Sequence, residues 1–236
     1  MAKKMILNWS EIETVLLDMD GTLLDKHYDD YFWEEYVPQI FAAQNNLSDL
    51  EARTVLLKTY KAKEGTLDWT DLDYWSEQLR LDIPALKVKI NHLIKIHPYV
   101  LDFLKFLKIA QKRVFLVTNA HSKTLGIKME KTALNGYFDR IICAEEIGRP
   151  KEDHIFWEGL RQIIKYDKST TMLAEDTEKI LQSAQRYGIK HLIYVAKPSS
   201  RQAVKKSAKF KSIIYFNELL KGEKGKAGSG SHVSAQ

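Results

Sequence analysis

The first apolar run of the chain, Thr14-Val15-Leu16-Leu17, breaks at the acidic turn Asp18-Met19-Asp20-Gly21-Thr22. Four apolar or β-branched residues bounded by a Gly turn predict a strand buried on both faces. From about Asp25 to Asn91 apolar positions recur at helical spacing. Asp29 or Asp30 is positioned to cap a first helix carrying Phe32, Val37, Ile40 and Phe41. Ser48-Asp49-Leu50-Glu51 is a capping-box pattern that opens a second helix, with Ala52, Val55, Leu56 and Tyr60 behind it. Thr70-Asp71-Leu72-Asp73 starts a third, with Leu72, Trp75 and Leu79 as one stripe, and Pro84 opens a fourth through Leu86 and Ile90. Four helices with short loops predict a small bundle inserted after the acidic turn.

From His97-Pro98 the pattern becomes an alternation of helix and strand. A helix carrying Val100, Leu101, Phe103, Leu104 and Leu107 precedes the strand Val114-Phe115-Leu116-Val117. A helix from about Lys123 to Leu134 is expected to end at Asn135-Gly136. The strand Ile141-Ile142-Cys143-Ala144 follows, then a helix through Ile155, Phe156, Leu160 and Ile163. Thr171-Met172-Leu173-Ala174 is a further strand, its helix stops at Gly188, and His191-Leu192-Ile193-Tyr194-Val195 is expected to be the last strand. Such alternation predicts an α/β fold: a parallel sheet with helices on both faces. The expected organisation is an α/β core from residues 1–26 and 94–221, a helical insertion over 27–93, and a disordered Gly/Lys/Ser-rich tail over 222–236.

Composition narrows the class without naming it. The 236 residues suffice for one large domain, or one domain with an inserted subdomain. No stretch approaches the roughly 18–20 consecutive apolar residues of a membrane helix. The N-terminal Met-Ala-Lys-Lys-Met-Ile-Leu lacks the long apolar stretch of a signal peptide. A single Cys143 excludes an internal disulfide and fits a reducing cytoplasm. The net charge of +5 comes from 36 basic and 31 acidic residues that are well mixed. That balance suits a small anionic substrate and is weak evidence for a nucleic-acid partner. No repeat recurs at fixed period.

Polar residues collect where open α/β sheets bind ligands, at the carboxyl ends of strands. The first strand ends in Asp18 and Asp20, which alternation along the chain turns the same way, and Gly21 leaves room for a ligand. The strand from Val114 ends in Thr118-Asn119, the strand from Thr171 in Glu175-Asp176, and Lys151 sits in a loop between them. Two carboxylates with nothing nearby to neutralise them are costly as mere structure. They suit a divalent metal and a phosphate. A carboxylate nucleophile, a hydroxyl with backbone N–H groups, a lysine and two more acids together suit phosphoryl transfer. Each alone has a bland alternative: a solvated Asp-rich turn, or a loop lysine on the surface.

The motifs Asp18-Met19-Asp20-Gly21-Thr22-Leu23-Leu24-Asp25, Leu116-Val117-Thr118-Asn119, Lys151 and Glu175-Asp176-Thr177 resemble those of the haloacid dehalogenase (HAD) superfamily of phosphatases. The insertion resembles that family's C1 cap. Tyr31-Phe32-Trp33 with Val37-Pro38, and Leu72-Asp73-Tyr74-Trp75-Ser76-Glu77-Gln78-Leu79, are similar to the cap of bacterial GMP/IMP 5′-nucleotidases, as are Thr118-Asn119-Ala120-His121 and Pro150-Lys151-Glu152-Asp153. The resemblance implies a Rossmann-like sheet with the first strand central, flanked by the strands of the second and fourth motifs. It implies a monomer or weak dimer that hydrolyses a small phosphomonoester with Mg²⁺ as cofactor.

By that resemblance Asp18 is the nucleophile and Asp20 the general acid and then base. Mg²⁺ is held by Asp18, the Asp20 carbonyl and Asp176. Gly21, Thr118 and Asn119 meet the phosphate, and Lys151 balances its charge. Glu175 stands where relatives carry Asp, so it is expected to support the metal from outside or through water. Arg149 replaces an aromatic residue of related nucleotidases and reads as a solvated loop charge. Dehalogenation is disfavoured, because Asp20 and Asp176 point to a metal site. His27 and Tyr28, just after the first motif, are expected at the substrate. Tyr28, Tyr31, Phe32, Trp33, Tyr36, Trp69, Tyr74 and Trp75 offer either bundle core or a stacking surface for a purine. His121 and His154 read as hydrogen-bonded bystanders and Cys143 as a small buried hydrophobe. The alternatives are a sugar-phosphate phosphatase or a non-catalytic module that binds through the basic stretch Lys205-Lys206 to Lys226.

Overall fold

The computed structural model describes residues 7–220, so the expectations for the extreme N-terminus and the 222–236 tail lie outside the described residues. A six-stranded, all-parallel sheet organises the chain in the order β3-β2-β1-β4-β5-β6. The strands are β1 (Thr14–Leu17), β2 (Arg113–Thr118), β3 (Arg140–Cys143), β4 (Thr171–Glu175), β5 (His191–Val195) and β6 (Lys211–Ile213). The first strand is flanked by β2 and β4, with Leu17 in register with Leu116 on one side and Ala174 on the other. Every residue of β1 is buried.

Alternation along β1 divides the core between the two faces of the sheet. Val15 and Leu17 join the cluster of Val100, Phe103, Leu104 and Leu107 from helix α6 (Val100–Ile109, counted after the five helices below). Leu16 joins Phe156, Trp157 and Leu160 of a later helix, His154–Ile164, with Leu181 and Ala184 of the helix Glu178–Tyr187. Each such side chain removed fully from water contributes about 1.5–3 kcal/mol.

Between β1 and α6 come α1 (His27–Tyr31), a π-helical stretch Phe32–Tyr36, α2 (Val37–Asn45), α3 (Asp49–Lys61), α4 (Leu72–Leu79) and α5 (Ile83–Lys89). The Ser48–Glu51 capping box forms as expected, Asp71 caps α4, and Pro84 sits in the first turn of α5. Phe32, Leu56, Trp75 and Leu79 belong to the same apolar cluster as Val15. The expected start of the first helix is wrong. It begins at His27, so Asp29 and Asp30 lie inside it and cap nothing.

The remaining helices are α7 (Ser122–Thr132), α8 (Ala144–Ile147), α9 (His154–Ile164) and α10 (Glu178–Tyr187). Helix α7 ends earlier than expected: Ala133 takes the left-handed conformation at φ 53°, and Asn135-Gly136 falls in the following 3₁₀ turn. The edge strand β6 was not expected at all. Among the described residues no helix is long and apolar enough to cross a membrane.

Candidate active site

The carboxyl ends of β1, β2 and β4 meet at one point. Asp18 continues β1 for one residue, its N–H donating to the Ala174 carbonyl at 3.1 Å. Its carboxylate accepts a 2.5 Å hydrogen bond from Lys151 Nζ. The same ammonium donates to Glu175 Oε2 at 2.7 Å and to the Val117 carbonyl at 3.1 Å. Three acceptors use all three hydrogens of the lysine. Lys151 and Glu175 are each only 1% exposed, so this contact lies out of water.

Two hydrogen bonds of the Asn119 side chain hold the lysine loop there. The Lys151 N–H donates to Asn119 Oδ1 at 2.9 Å, while Asn119 Nδ2 donates to Glu152 Oε2 at 2.9 Å. The end of β2 is thus stapled to the Lys151 loop. Thr118 is buried, its Oγ1 accepting from the Ala120 N–H at 3.0 Å, which shapes the turn after β2. Arg149 is exposed, 3.8 Å from Asp153, as its solvated reading implied.

At the end of β4, Glu175 Oε1 accepts from the N–H groups of Asp176 and Thr177, both at 3.0 Å. Both Glu175 oxygens are therefore engaged, and the glutamate fixes the backbone that carries Asp176. Carboxylate oxygens of Asp18, Glu175 and Asp176 lie within 4.8 Å of one another. Gly21, at φ +85°, approaches this group so closely that a Cβ on it would lie 2.3 Å from Asp176 Oδ2. Its missing side chain leaves the room that this acid occupies. Burial and the neighbouring Glu175 raise Asp18 to about 6 against the pull of Lys151. Burial and Asp18 likewise raise Asp176 to about 6, and burial raises Glu175 to about 8. Lys151, although desolvated, is held above its ordinary range by Asp18 and Glu175.

Asp20 faces a second ionic cluster, which the sequence reading missed. Lys128 Nζ of α7 donates to Asp20 Oδ1 at 2.5 Å and to Asp29 Oδ2 at 2.6 Å. Lys87 Nζ of α5 donates to Asp29 Oδ1 at 2.9 Å. Both lysines are 1% exposed. Burial raises Asp20 to about 6, with Lys128 opposing. The only signal in the sequence is position: Lys87 falls four residues after Ile83, on the buried stripe of α5, and Lys128 four residues after the buried Thr124 of α7.

These groups open on a cavity of about 730 Å³. Asp18, Asp20, Thr118, Asn119, Lys151, Glu175 and Asp176 line it together with Trp33, Leu57, Tyr60, Trp69, Leu72 and Trp75. His27 and Tyr28 do not line it, contrary to expectation. Tyr28 is 1% exposed, donates its hydroxyl to the Lys87 carbonyl at 3.0 Å, and lies under the ammonium groups of Lys87 and Lys128. His27 packs beside Tyr31. Of the candidate stacking residues, Trp33 and Trp69 reach the cavity, Trp75 lines it from a fully buried position, and Tyr28 and Phe32 are core. His121 also lines the cavity, caps α7, and lies 3.6 Å from both Asp71 and Glu145. His154 is exposed, 3.5 Å from the Asp153 carboxylate, and Cys143 is buried, as expected of the cysteine.

The fold and site define an α/β protein of Rossmann-like topology with a lysine-neutralised acidic centre at the ends of its central strands. The sequence matches the haloacid dehalogenase-like hydrolase family over residues 15–194. The chain belongs to that family and is a hydrolase. It is 36% identical, over 90% of its length and 96% of the relative's, to the GMP/IMP nucleotidase YrfG of Escherichia coli. It is 28% identical to the pyrimidine 5′-nucleotidase YjjG of Escherichia coli over 44% of this chain and 48% of that one. The fold is similar to that of a HAD phosphatase from Thermococcus onnurineus, with a TM-score of 0.75 at 19% identity over 88% of this chain and 96% of that one.

Proposed function

We propose that the protein is a Mg²⁺-dependent phosphomonoesterase acting on purine nucleoside 5′-monophosphates, with GMP and IMP as substrates. The observation that carries this reading is the convergence of Asp18, Glu175 and Asp176 within 4.8 Å, at a cavity walled by Trp33 and Trp69. The 36% identity to a GMP/IMP nucleotidase supports the choice of substrate. The all-oxygen donor set fits a hard divalent cation, and the close approach that Gly21 permits keeps Asp176 beside Asp18. Asp18, Asp176 and the Asp20 carbonyl would hold Mg²⁺, with Glu175 fixing the Asp176 backbone. When bound, the ion offsets the negative charge of the phosphate and polarises its oxygens.

An Asp18 carboxylate oxygen attacks phosphorus, forming an aspartyl-phosphate as the bond from phosphorus to the 5′ oxygen breaks. Asp20 gives its proton to that oxygen, which leaves as the nucleoside hydroxyl. A sugar alkoxide is a poor leaving group, and such proton transfer is typically worth about 10²–10⁴-fold. Asp20 then takes a proton from a water that attacks phosphorus, the bond to Asp18 breaks, and phosphate departs. A carboxyl raised to about 6 is suited to both duties near neutral pH. Thr118 and the Asn119 N–H hold phosphate oxygens, and Lys151 carries the compensating charge beside Asp18. Residues 27–93 serve as the cap that recognises the base. A cytoplasmic location, which the single unpaired Cys143 supports, and a monomeric or weakly dimeric state complete the proposal.

Phosphate release from GMP, IMP, AMP, pyrimidine nucleotides and ribose 5-phosphate, with Mg²⁺ or EDTA, tests it. Purine nucleotides should be cleaved far faster than ribose 5-phosphate, and EDTA should stop turnover. Equal rates on ribose 5-phosphate would transfer the assignment to sugar phosphates, and no release from any ester would leave only a binding role.

A further inference from the structure

Four alternating charges run in a line through the interior: Lys87 of α5, Asp29 of α1, Lys128 of α7, and Asp20 after β1. Burying such a chain is expensive. Replacing a buried ion pair by apolar side chains of similar volume is often neutral or stabilising. Lys128 takes up a place on the packed side of α7, next to the buried Met129, that methionine would fill without any charge to desolvate. Its ammonium therefore calls for a use beyond packing.

The contacts of Asp20 supply one. Lys128 donates to Oδ1 alone, and among the described residues no hydrogen bond engages Oδ2. The Asp20 side chain is 23% exposed and lines the cavity, whereas Lys128 is 1% exposed and gripped on its other side by Asp29. The carboxylate is thus pinned through one oxygen, and the other is left to carry a proton toward the site. Asp29 is in turn held by Lys87, itself surrounded by the rings of Tyr28, Phe32 and Trp33 at 4.8, 4.5 and 5.7 Å.

We propose that Lys128 is a positioning residue for proton transfer: its ammonium, clamped by Asp29, orients the Asp20 carboxyl toward the oxygen of the departing alcohol. This rests on the reading of Asp20 as proton donor given above. In that step the proton moves from Asp20 Oδ2 to the ester oxygen as its bond to phosphorus breaks, and Lys128 keeps all of its own protons. The requirement disappears for a leaving group that departs as a stable anion.

The test is the leaving-group dependence of kcat/KM, which reports only the steps up to release of the alcohol. A nucleoside 5′-monophosphate needs the proton and p-nitrophenyl phosphate does not. Asp20→Asn sets the benchmark and should lower nucleotide kcat/KM by about 100-fold or more with a much smaller loss on the aryl ester. Lys128→Met should lower nucleotide kcat/KM at least about 10-fold and the aryl value less than about threefold. Lys87→Met, equally buried but one link removed, should lower both by the same factor. Lys128→Gln, shorter and uncharged, is the second variant should Lys128→Met not fold, and it should shift the ratio in the same direction. A folded Lys128 variant that loses both substrates in parallel, or neither, overturns the inference and leaves the lysine as a strut between helices. If Asp20→Asn leaves the ratio unchanged, or the native enzyme cleaves neither ester, the assignment of Asp20 fails and this inference with it.

Discussion

Asp29→Asn tests whether the two buried ammoniums depend on Asp29 as their counter-ion. In the native protein Asp29 accepts from Lys87 at 2.9 Å and from Lys128 at 2.6 Å, and both ammoniums are 1% exposed. Lys128 keeps Asp20 after the substitution, but Lys87 loses its anion and faces an amide that donates where a carboxylate accepted. Breaking a buried pair from one side costs about 3–5 kcal/mol. Two features favour the lower end. The rings around Lys87 retain cation–π attraction of about 0.5–2 kcal/mol. Burial already pulls Lys87 below its ordinary pKa, so it sheds its proton more readily once unpaired. About 3 kcal/mol in a chain of this size lowers Tm by roughly 6–12 °C. Thermal unfolding followed by circular dichroism at neutral pH measures it, and a shift below about 2 °C would refute the reasoning. The pH dependence gives a second check. Burial raises Asp29, but Lys128 and Lys87 outweigh it and hold the carboxyl well below its usual range. Its contribution is therefore present above the unfolded value of about 3.9 and is lost as pH falls through the lower folded one. The gap between native protein and variant should close in acid.

Other consequences concern the site itself. Asp18, Asp20 and Asp176 are raised to about 6 and Glu175 to about 8, so the folded chain holds protons that the unfolded chain has already released. Metal-free protein should lose stability as pH rises from about 4, the unfolded carboxyl value, to about 8, and Mg²⁺ should raise Tm more at the upper end; a Mg²⁺ effect independent of pH would contradict this. Gly21→Ala brings a Cβ to 2.3 Å from Asp176 Oδ2 at a left-handed φ of +85°. It should raise the Mg²⁺ concentration for half-maximal activity by about 10-fold or more, about 1.4 kcal/mol, and a metal titration showing no change would count against the placement. Trp69, 40% exposed, can be truncated without opening the core. Trp69→Ala should raise KM for a purine nucleotide by the roughly 1–3 kcal/mol of one base stack and leave ribose 5-phosphate unaffected; parallel changes would remove Trp69 from base recognition.

What could be read from the chain followed from local signals. The strands that form the site are apolar runs interrupted by acids, Thr-Asn or a Gly turn, and the site assembles because parallel strands end on one side of the sheet. Ser48, Asp71 and Pro84 declared their helices through capping chemistry that spans only a few residues. Asp29 misled for the same reason. An acid ahead of an apolar stripe is a capping signal, yet its partners Lys87 and Lys128 lie 58 and 99 residues away in sequence. Tyr28 stands beside the acidic turn in sequence but turns into the core, because starting α1 at His27 sets the direction of each following side chain. The edge strand β6 has only three residues, of which Ile213 alone is buried, and the apolar run Ile213-Ile214-Tyr215-Phe216 leaves the strand after its first residue and enters a 3₁₀ turn, so the run did not mark it.

In the proposed mechanism Asp18 receives the phosphoryl group. Acid quenching during turnover of a purine nucleotide, followed by mass spectrometry of the digested protein, tests it directly. A phosphoryl group is expected on the peptide containing Asp18 and should be absent from Asp18→Asn. A fully active enzyme with no such adduct, or with the adduct on another residue, would contradict it.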